Sequence, residues 1–364
     1  MEIVNEINKI KENIPYFLEK QQGKENKDYF KYSFSGDLWG EDMHWNVGAS
    51  VFAAKIAYTI GMEKSDEIVQ HALNHISSFQ HSTGYIYDDR IRPQYNMKKT
   101  IKQLLHGKLP IFSNQEYIRA ESRQCFSALM MYEVLLDSMP ESEIVNKNQM
   151  DCYLEKFDWN QPWGAGSHYS HMLFFQKLGL LYKRITADEY KENIKYAKQW
   201  IDKIYNQKTG SWHRGNVSTQ QAINGAMKVM TGFKITDKLC VNEEEGRRLI
   251  DLCLANVNNE QACDNFNIVY VLYYASQACQ NYRKSEIKEF AEKRFRIYME
   301  YYYPKHGGFS FYKGKTNEYY YGCRITKGLK EPDMHGTTLF LWGISIICKI
   351  LEIEKETGLR EFIT

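Results

Sequence analysis

The chain has 364 residues, 47 Lys and Arg against 45 Asp and Glu, and a net charge of +2. Both signs of charge are spread along it, which excludes the basic stripe of a nucleic-acid partner. Charges also interrupt the apolar stretches, the opening MEIVNEINKIKENIPYF included, so it reads as neither a secretory leader nor a membrane span, and a cytoplasmic setting is expected.

In chain order the hydrophobic spacing predicts six pairs of helices. A charged amphipathic span at 2–21 precedes a charge-poor one at 43–60, and 64–80 precedes 117–136. The pattern repeats as 141–157 with 166–182, 187–206 with 217–232, 243–257 with 264–280, and 285–303 with 333–351. The charged members place apolar residues at helical spacing, as Tyr190, Ile194, Ala197, Ile201 and Ile204 do, and leave one wet face. The charge-poor members, such as LFLWGISIICKI, read as helices covered on nearly all sides. Strand-like runs such as YIYDD and GGFSFY are short and fall in connections.

Four turns resemble one another: FQHSTGYIYDD at Gly84, WNQPWGAGS at Trp163, YNQKTGSWHRG at Gly210 and YPKHGGFSFY at Gly307. Repetition at this period predicts a stacked helical architecture. Six pairs with no polar capping repeat at either end predict closure. The fold expected is therefore all-α, an (α/α)6 toroid of six inner and six outer helices, forming one domain over 1–364. Two long excursions, 81–116 and 304–332, would be rim loops, and the basic segment 91–110 would hold a short helix over one mouth.

In such a ring the inner helices start at a common mouth, where free N–H groups favour anions. Polar residues cluster at these starts: Asp42, His44 and Asn46, then Arg119, Glu121 and Arg123, then His168, Tyr169 and His171. Gln220 and Asn224, Asp264, Asn265 and Asn267, and finally Asp333 and His335 complete the set. Buried polar groups need partners, water or a ligand, so a wet axial cavity is expected. The candidates for catalysis are Asp333 with His335, and His168 with His171, which share a helix face. Arg119 and Arg123 are spaced to clamp a phosphate or carboxylate. His44, Asn46, Glu121, Tyr169, Trp212, Asp264 and Asn267 complete the expected binding surface, with aromatic rings lining the cavity. The eight Cys include no CxxC pair and read as reduced thiols; neither metal nor other cofactor is expected.

The turns SSFQHSTGYIYDD, IYNQKTGSWHRG and YYPKHGGFSFY resemble the Gln–Gly–aromatic turns of the terpenoid cyclase and protein prenyltransferase toroid superfamily. PDMHGTTLFL is similar to the DxDD helix start of class II terpene cyclases, with Asp333 and Thr337 matching, His335 at the central acid position and Gly336 at the next Asp. The same stretch is similar to the prenyltransferase segment bearing a zinc-binding His. ACDNFN would lie near that family's Asp-x-Cys, with Asp264 matching and Phe266 in place of the Cys. The resemblance implies the toroid fold and an isoprenoid-type substrate handled by non-classical acid/base chemistry.

Two other readings stand beside it. Aromatic platforms with Asn, His, Arg and Glu suit a carbohydrate-active enzyme, a polysaccharide lyase, glycoside hydrolase or epimerase. MHWNVG and GSHYSH are similar to the Asn, His and Tyr groups of toroid polysaccharide lyases, which would give Asn46 the uronate carboxylate and His168, Tyr169 or His171 the proton. The third reading is a non-catalytic binding protein on the same scaffold. A small-molecule or oligosaccharide partner is common to the first two, and the oligomeric state is left open.

Overall fold

The computed structural model describes residues 2–90, 115–238, 240–256 and 259–364. Among them are thirteen α-helices and three two-residue antiparallel hairpins, so the chain is all-α. The helices come in pairs: α1 (Glu2–Gln21) with α2 (Val47–Ile60), α3 (Glu67–Ser78) with α4 (Gln115–Met131), and α5 (Lys147–Leu154) with α6 (Pro162–Leu181). They continue with α7 (Ala187–Asp202) and α8 (Thr219–Lys234), α9 (Glu243–Leu254) and α10 (Ala262–Ser276), and α11 (Lys284–Met299) and α12 (Met334–Leu351). A single turn, α13 (Glu354–Thr357), follows before segment 359–364.

The even-numbered helices touch in a cycle. α2 packs on α4, α4 on α6, α6 on α8, α8 on α10, α10 on α12, and α12 returns to α2. The odd-numbered helices lie against them: α1 on α2, α3 on α2 and α4, α7 on α6, α9 on α8 and α10, and α11 on α10 and α12, while α5 packs on α7. Composition explains the division. In α2 (VGASVFAAKIAYTI) every residue except Tyr58 is buried, whereas α1 buries Ile7, Ile10, Ile14, Phe17 and Leu18 along one stripe. Three odd-numbered helices start at capping boxes, Asn146 with Gln149, Thr186 with Glu189 and Asn242 with Glu245, which satisfy free N–H groups where the chain enters each helix. One contiguous apolar core runs from Ile7 to Phe362.

The repeated turns join the two helices of a pair. β1 (Tyr205–Asn206) pairs with β2 (Ser211–Trp212), and β3 (Tyr302–Tyr303) with β4 (Gly308–Phe309). Gly210 and Gly307 adopt φ of 70° and 73°, which side chains resist. A Cβ on Gly210 would lie 3.0 Å from the Leu249 backbone nitrogen in α9, and one on Gly307 would lie 2.5 Å from the Asn13 carbonyl in α1. Each turn thus leans on the backbone of the following odd-numbered helix, and the last leans on the first. The third hairpin, β5 (Tyr319–Tyr320) with β6 (Cys323–Arg324), stands in the excursion before α12.

Two boundaries differ from the sequence reading. WNQPWGAGS is not a turn of the repeated kind: Pro162 sits at the first position of α6, where its missing N–H costs nothing, and Gly164 and Gly166 are helical. Residues 43–46 precede α2 because Asn46 takes a left-handed conformation as its N-cap. The segment 91–110, read as a helical cover, falls outside the described residues. Met334–Leu351 is the one helix among the described residues long and apolar enough to cross a membrane, and most of it is buried against the rest of the protein.

The closest seam runs between α6 and α8. A Cβ on Gly225 would lie 2.5 Å from Pro162 Cβ, one on Gly232 2.9 Å from Ser170 Cα, and one on Gly166 3.1 Å from the Gly225 carbonyl. Gly225→Ala or Gly232→Ala is therefore expected to lower stability by about 1–3 kcal/mol through overpacking, although Ala favours helix. Gly164→Ala, with nothing within 4 Å of its Cβ, is expected to leave stability unchanged or slightly raised. Chemical denaturation of the three variants checks this contrast.

Candidate functional site

The starts of the even-numbered helices satisfy much of their own polarity. Asn46 Oδ1 accepts the Ala49 N–H at 3.3 Å, its Nδ2 donates to the Phe30 carbonyl, and its own N–H donates to Asp88 Oδ2 at 2.5 Å. Asp333 caps α12 through Gly336 N–H at 2.7 Å and also accepts the N–H groups of Phe311 at 2.8 Å and Asn317 at 3.3 Å. Burial pushes the Asp333 carboxyl up to about 7 against these bonds, which pull it down. Its oxygens fasten the rim excursion to the start of α12.

Side-chain networks account for others. Arg119 pairs with the buried Glu143 and reaches His168 Nδ1 at 3.5 Å; His168 stacks on Phe157 at 4.0 Å and pairs with Glu116 at 3.1 Å. Glu121 is fully buried and accepts the Asp88 N–H at 2.8 Å; burial and the Asp88 charge push its carboxyl well above the ordinary carboxylate range. Asn224 donates to Asp264 at 3.3 Å and accepts from Asn267 at 2.8 Å. His44 is exposed and stacks on Phe79. Tyr169 and Trp212 are wholly buried, Tyr169 beside Trp159 and Phe233, Trp212 beside Tyr205 in the repeated turn. Neither lines the cavity described next.

A cavity of about 100 Å³ lies where the even-numbered helices meet, and every one of the six contributes to its wall. Lys55 comes from α2, Arg123 from α4, Trp163 from α6, Lys228 from α8, Asn267 from α10 and His335 from α12. Ring faces of Phe52, Phe266 and Trp342 complete it, and Phe362 and Thr364 of segment 359–364 border it. That segment is held firmly: the Thr59 carbonyl accepts Arg360 N–H at 2.8 Å, Phe362 lies on Trp342 at 4.3 Å, and Ser127 donates to the Ile363 carbonyl at 2.7 Å. Thr364 receives Lys55 Nζ on its hydroxyl at 2.9 Å and Arg123 Nη2 on its main-chain oxygen at 2.5 Å.

Four polar atoms of the wall are buried without a hydrogen-bond partner: Arg123 Nε, Asn267 Oδ1, His335 Nδ1 and Trp342 Nε1. Native interiors rarely leave such atoms orphaned, and a cluster of four in one cavity marks a place for water or ligand. The electrostatics are one-sided. Burial lowers Lys55 well below its ordinary value, with Arg123 and Lys228 adding repulsion. Burial takes Arg123 to about 10, and burial with the Arg123 charge takes Lys228 to about 8. Burial, then Lys228 and Lys55, takes His335 down to about 3, so its ring is neutral at physiological pH. It lies between Phe52 at 4.7 Å and Phe311 at 4.8 Å.

Of the residues singled out in the sequence, the fold brings Arg123, Asn267 and His335 to this cavity, with His171 close enough to Arg123 for that charge to help hold its ring neutral. Lys55 and Lys228 were missed because they lie beyond the first helical turn. Their signal was present: Lys55 is the one charge in VGASVFAAKIAYTI, and a lone cation in a helix covered on all sides needs a reason. Among the described residues no group of three His, Cys, Asp or Glu could hold a metal ion. No family model matches the chain, and no curated protein matches it.

The neutral histidines set a pH dependence. His335 at about 3 and His75 at about 4 lie below the unfolded value near 6.5, so the unfolded chain takes up protons first as pH falls. The contribution of these histidines is expected to be flat above pH 6.5 and to fall toward pH 4, by at most about 1.4 kcal/mol per pH unit for each, while Asp333, raised to about 7, contributes with the opposite sign over the same window. His335→Gln is expected to flatten the slope of Tm against pH across that window. An unchanged slope would show that the ring is not held neutral by the fold.

Proposed function

We propose that this chain is an (α/α)6 toroid and a carbohydrate-active enzyme that takes a compact polar substrate into its axis. One observation carries the reading: a cavity walled by all six even-numbered helices, whose lining combines aromatic rings with orphaned polar atoms. Stacking on Trp163, Phe266 or Trp342 with hydrogen bonds to Asn267 and His335 is the mixture that sugar rings need, apolar faces and polar edges together. The cyclic order of helix contacts supports the toroid. Eight free thiols and no disulfide fit a reducing, cytoplasmic setting.

His335 is the candidate base. Its ring is neutral, its Nδ1 has no partner and it lines the cavity; burial, Lys228 and Lys55 hold it down to about 3, a weak base that gains strength when a bound anion offsets those cations. Asn46, expected to neutralise a uronate carboxylate, is engaged as a helix cap, and Asp333 holds backbone N–H groups; both serve to position the mouth. The reaction class the site suits best is proton removal from the substrate, as in a lyase or epimerase.

The isoprenoid reading is favoured by the ring faces of Phe52, Phe266, Trp342 and Phe362. One feature weighs against it: Lys55, Arg123 and Lys228 would repel a carbocation rather than stabilise it.

The test is turnover against two panels, uronate-containing oligosaccharides and prenyl diphosphates. Sugar turnover is expected, reduced about 100-fold or more in His335→Ala with the circular dichroism spectrum kept. Consumption of prenyl diphosphates alone, or full sugar turnover in His335→Ala, would reject the reading.

A further inference from the structure

We propose that the wall formed by Lys55, Arg123 and Lys228 is a seat for an oxoanion, the carboxylate or phosphate group of the bound small molecule. This deepens the reading of the cavity as a substrate site and rests on it for the identity of the molecule, but the seat itself is a matter of binding.

The argument is a charge balance. Three cations from three helices line one small cavity. Lys55 and Arg123 are each only 2 % exposed. Such groups are normally neutralised where they are buried. No Asp or Glu side chain raises the pKa of any of the three; what raises them is thiols and phenols, Cys125, Cys263, Tyr270 and Tyr321. Residues outside the described part of the chain bring no counter-charge either, because 91–114 and positions 1, 239, 257 and 258 contain no Asp or Glu. Glu121 and Glu361 are near the axis but serve elsewhere: Glu121 accepts a backbone N–H, and Glu361 binds Tyr274 and Lys349.

The orphaned atoms point the same way. Arg123 uses Nη2 on the Thr364 main-chain oxygen, while its Nε donor, in the fork that matches a two-oxygen acid, has no acceptor. Trp342 Nε1 is a second unused donor on the same wall. Lys55 reaches the Thr364 hydroxyl and Gln124, and Arg123 a Thr364 main-chain oxygen, whereas the Lys228 ammonium has no partner in the hydrogen-bond network described. A planar carboxylate or a phosphate supplies the missing charge and acceptors together. The small volume suits that group as a headgroup, with the remainder of the molecule reaching toward the mouth.

The experiment uses the full chain with inorganic phosphate and with D-glucuronate, each against chloride at matched ionic strength, read by calorimetry and thermal shift. Wild type is expected to bind at least one oxoanion and to gain in Tm where chloride gives no gain. Lys228→Met is expected to weaken that binding at least tenfold, while its own Tm without ligand equals or exceeds wild type because a like charge has been removed. Arg123→Lys, which keeps the charge and loses the fork, is expected to weaken glucuronate more than phosphate. No binding of either anion, or undiminished binding by Lys228→Met, overturns the seat. A drop in the ligand-free Tm of Lys228→Met also overturns it, since the ammonium would then be an internal structural group. Oxoanion binding without any sugar turnover would leave the seat standing and remove the carbohydrate reading; turnover of neutral sugars with no oxoanion effect would do the reverse.

Discussion

A cycle of six helices encloses a space that none of them fills alone, and the rest of this structure answers that constraint. Large rings take part of it: Phe52, Phe266 and Trp342 turn inward, and Phe362 enters from segment 359–364. The residual hollow is bordered by three cations alongside the apolar Met227 and Leu339. Burying cations with no side-chain carboxylate beside them opposes stability, so their presence there is better understood as chemistry than as packing.

The geometry beneath the cavity is set by glycine. Gly166, Gly225 and Gly232 bring α6 and α8 together, closer than any side chain would allow. The same contact places Lys228 beside α6, where a Cβ on Gly166 would meet the Lys228 Cβ at 3.1 Å. Gly210 and Gly307 perform a different task at the periphery, pressing each repeated turn onto the next helix backbone. Small residues therefore fix both the spacing of the helices around the cavity and the succession of the pairs.

The sequence made the architecture readable because alternation of charge is a direct record of which helix faces water. It located all six pairs, and the expected span 333–351 lies within one residue of α12. It misjudged the start of α6, where Pro162 and two glycines imitate a turn. The site was less readable. Polar residues at helix starts look alike whether they cap a helix or hold a ligand, and here Asn46 and Asp333 cap while Arg119 and Glu143 pair. The residues that line the cavity, Lys55 and Lys228, lie a turn or more further in. A lysine inside a helix reads as a solvated face unless the neighbouring helices are known to surround it, which only the fold can reveal.

The most direct measurement is the crystal structure of the chain soaked with D-glucuronate. The account predicts the sugar's carboxylate in the axial cavity, within about 3 Å of Lys228 Nζ and an Arg123 nitrogen, with the ring against Trp163 or Trp342. A sugar bound on the outer surface with the axial cavity unchanged, at a concentration that saturates binding in solution, would contradict it.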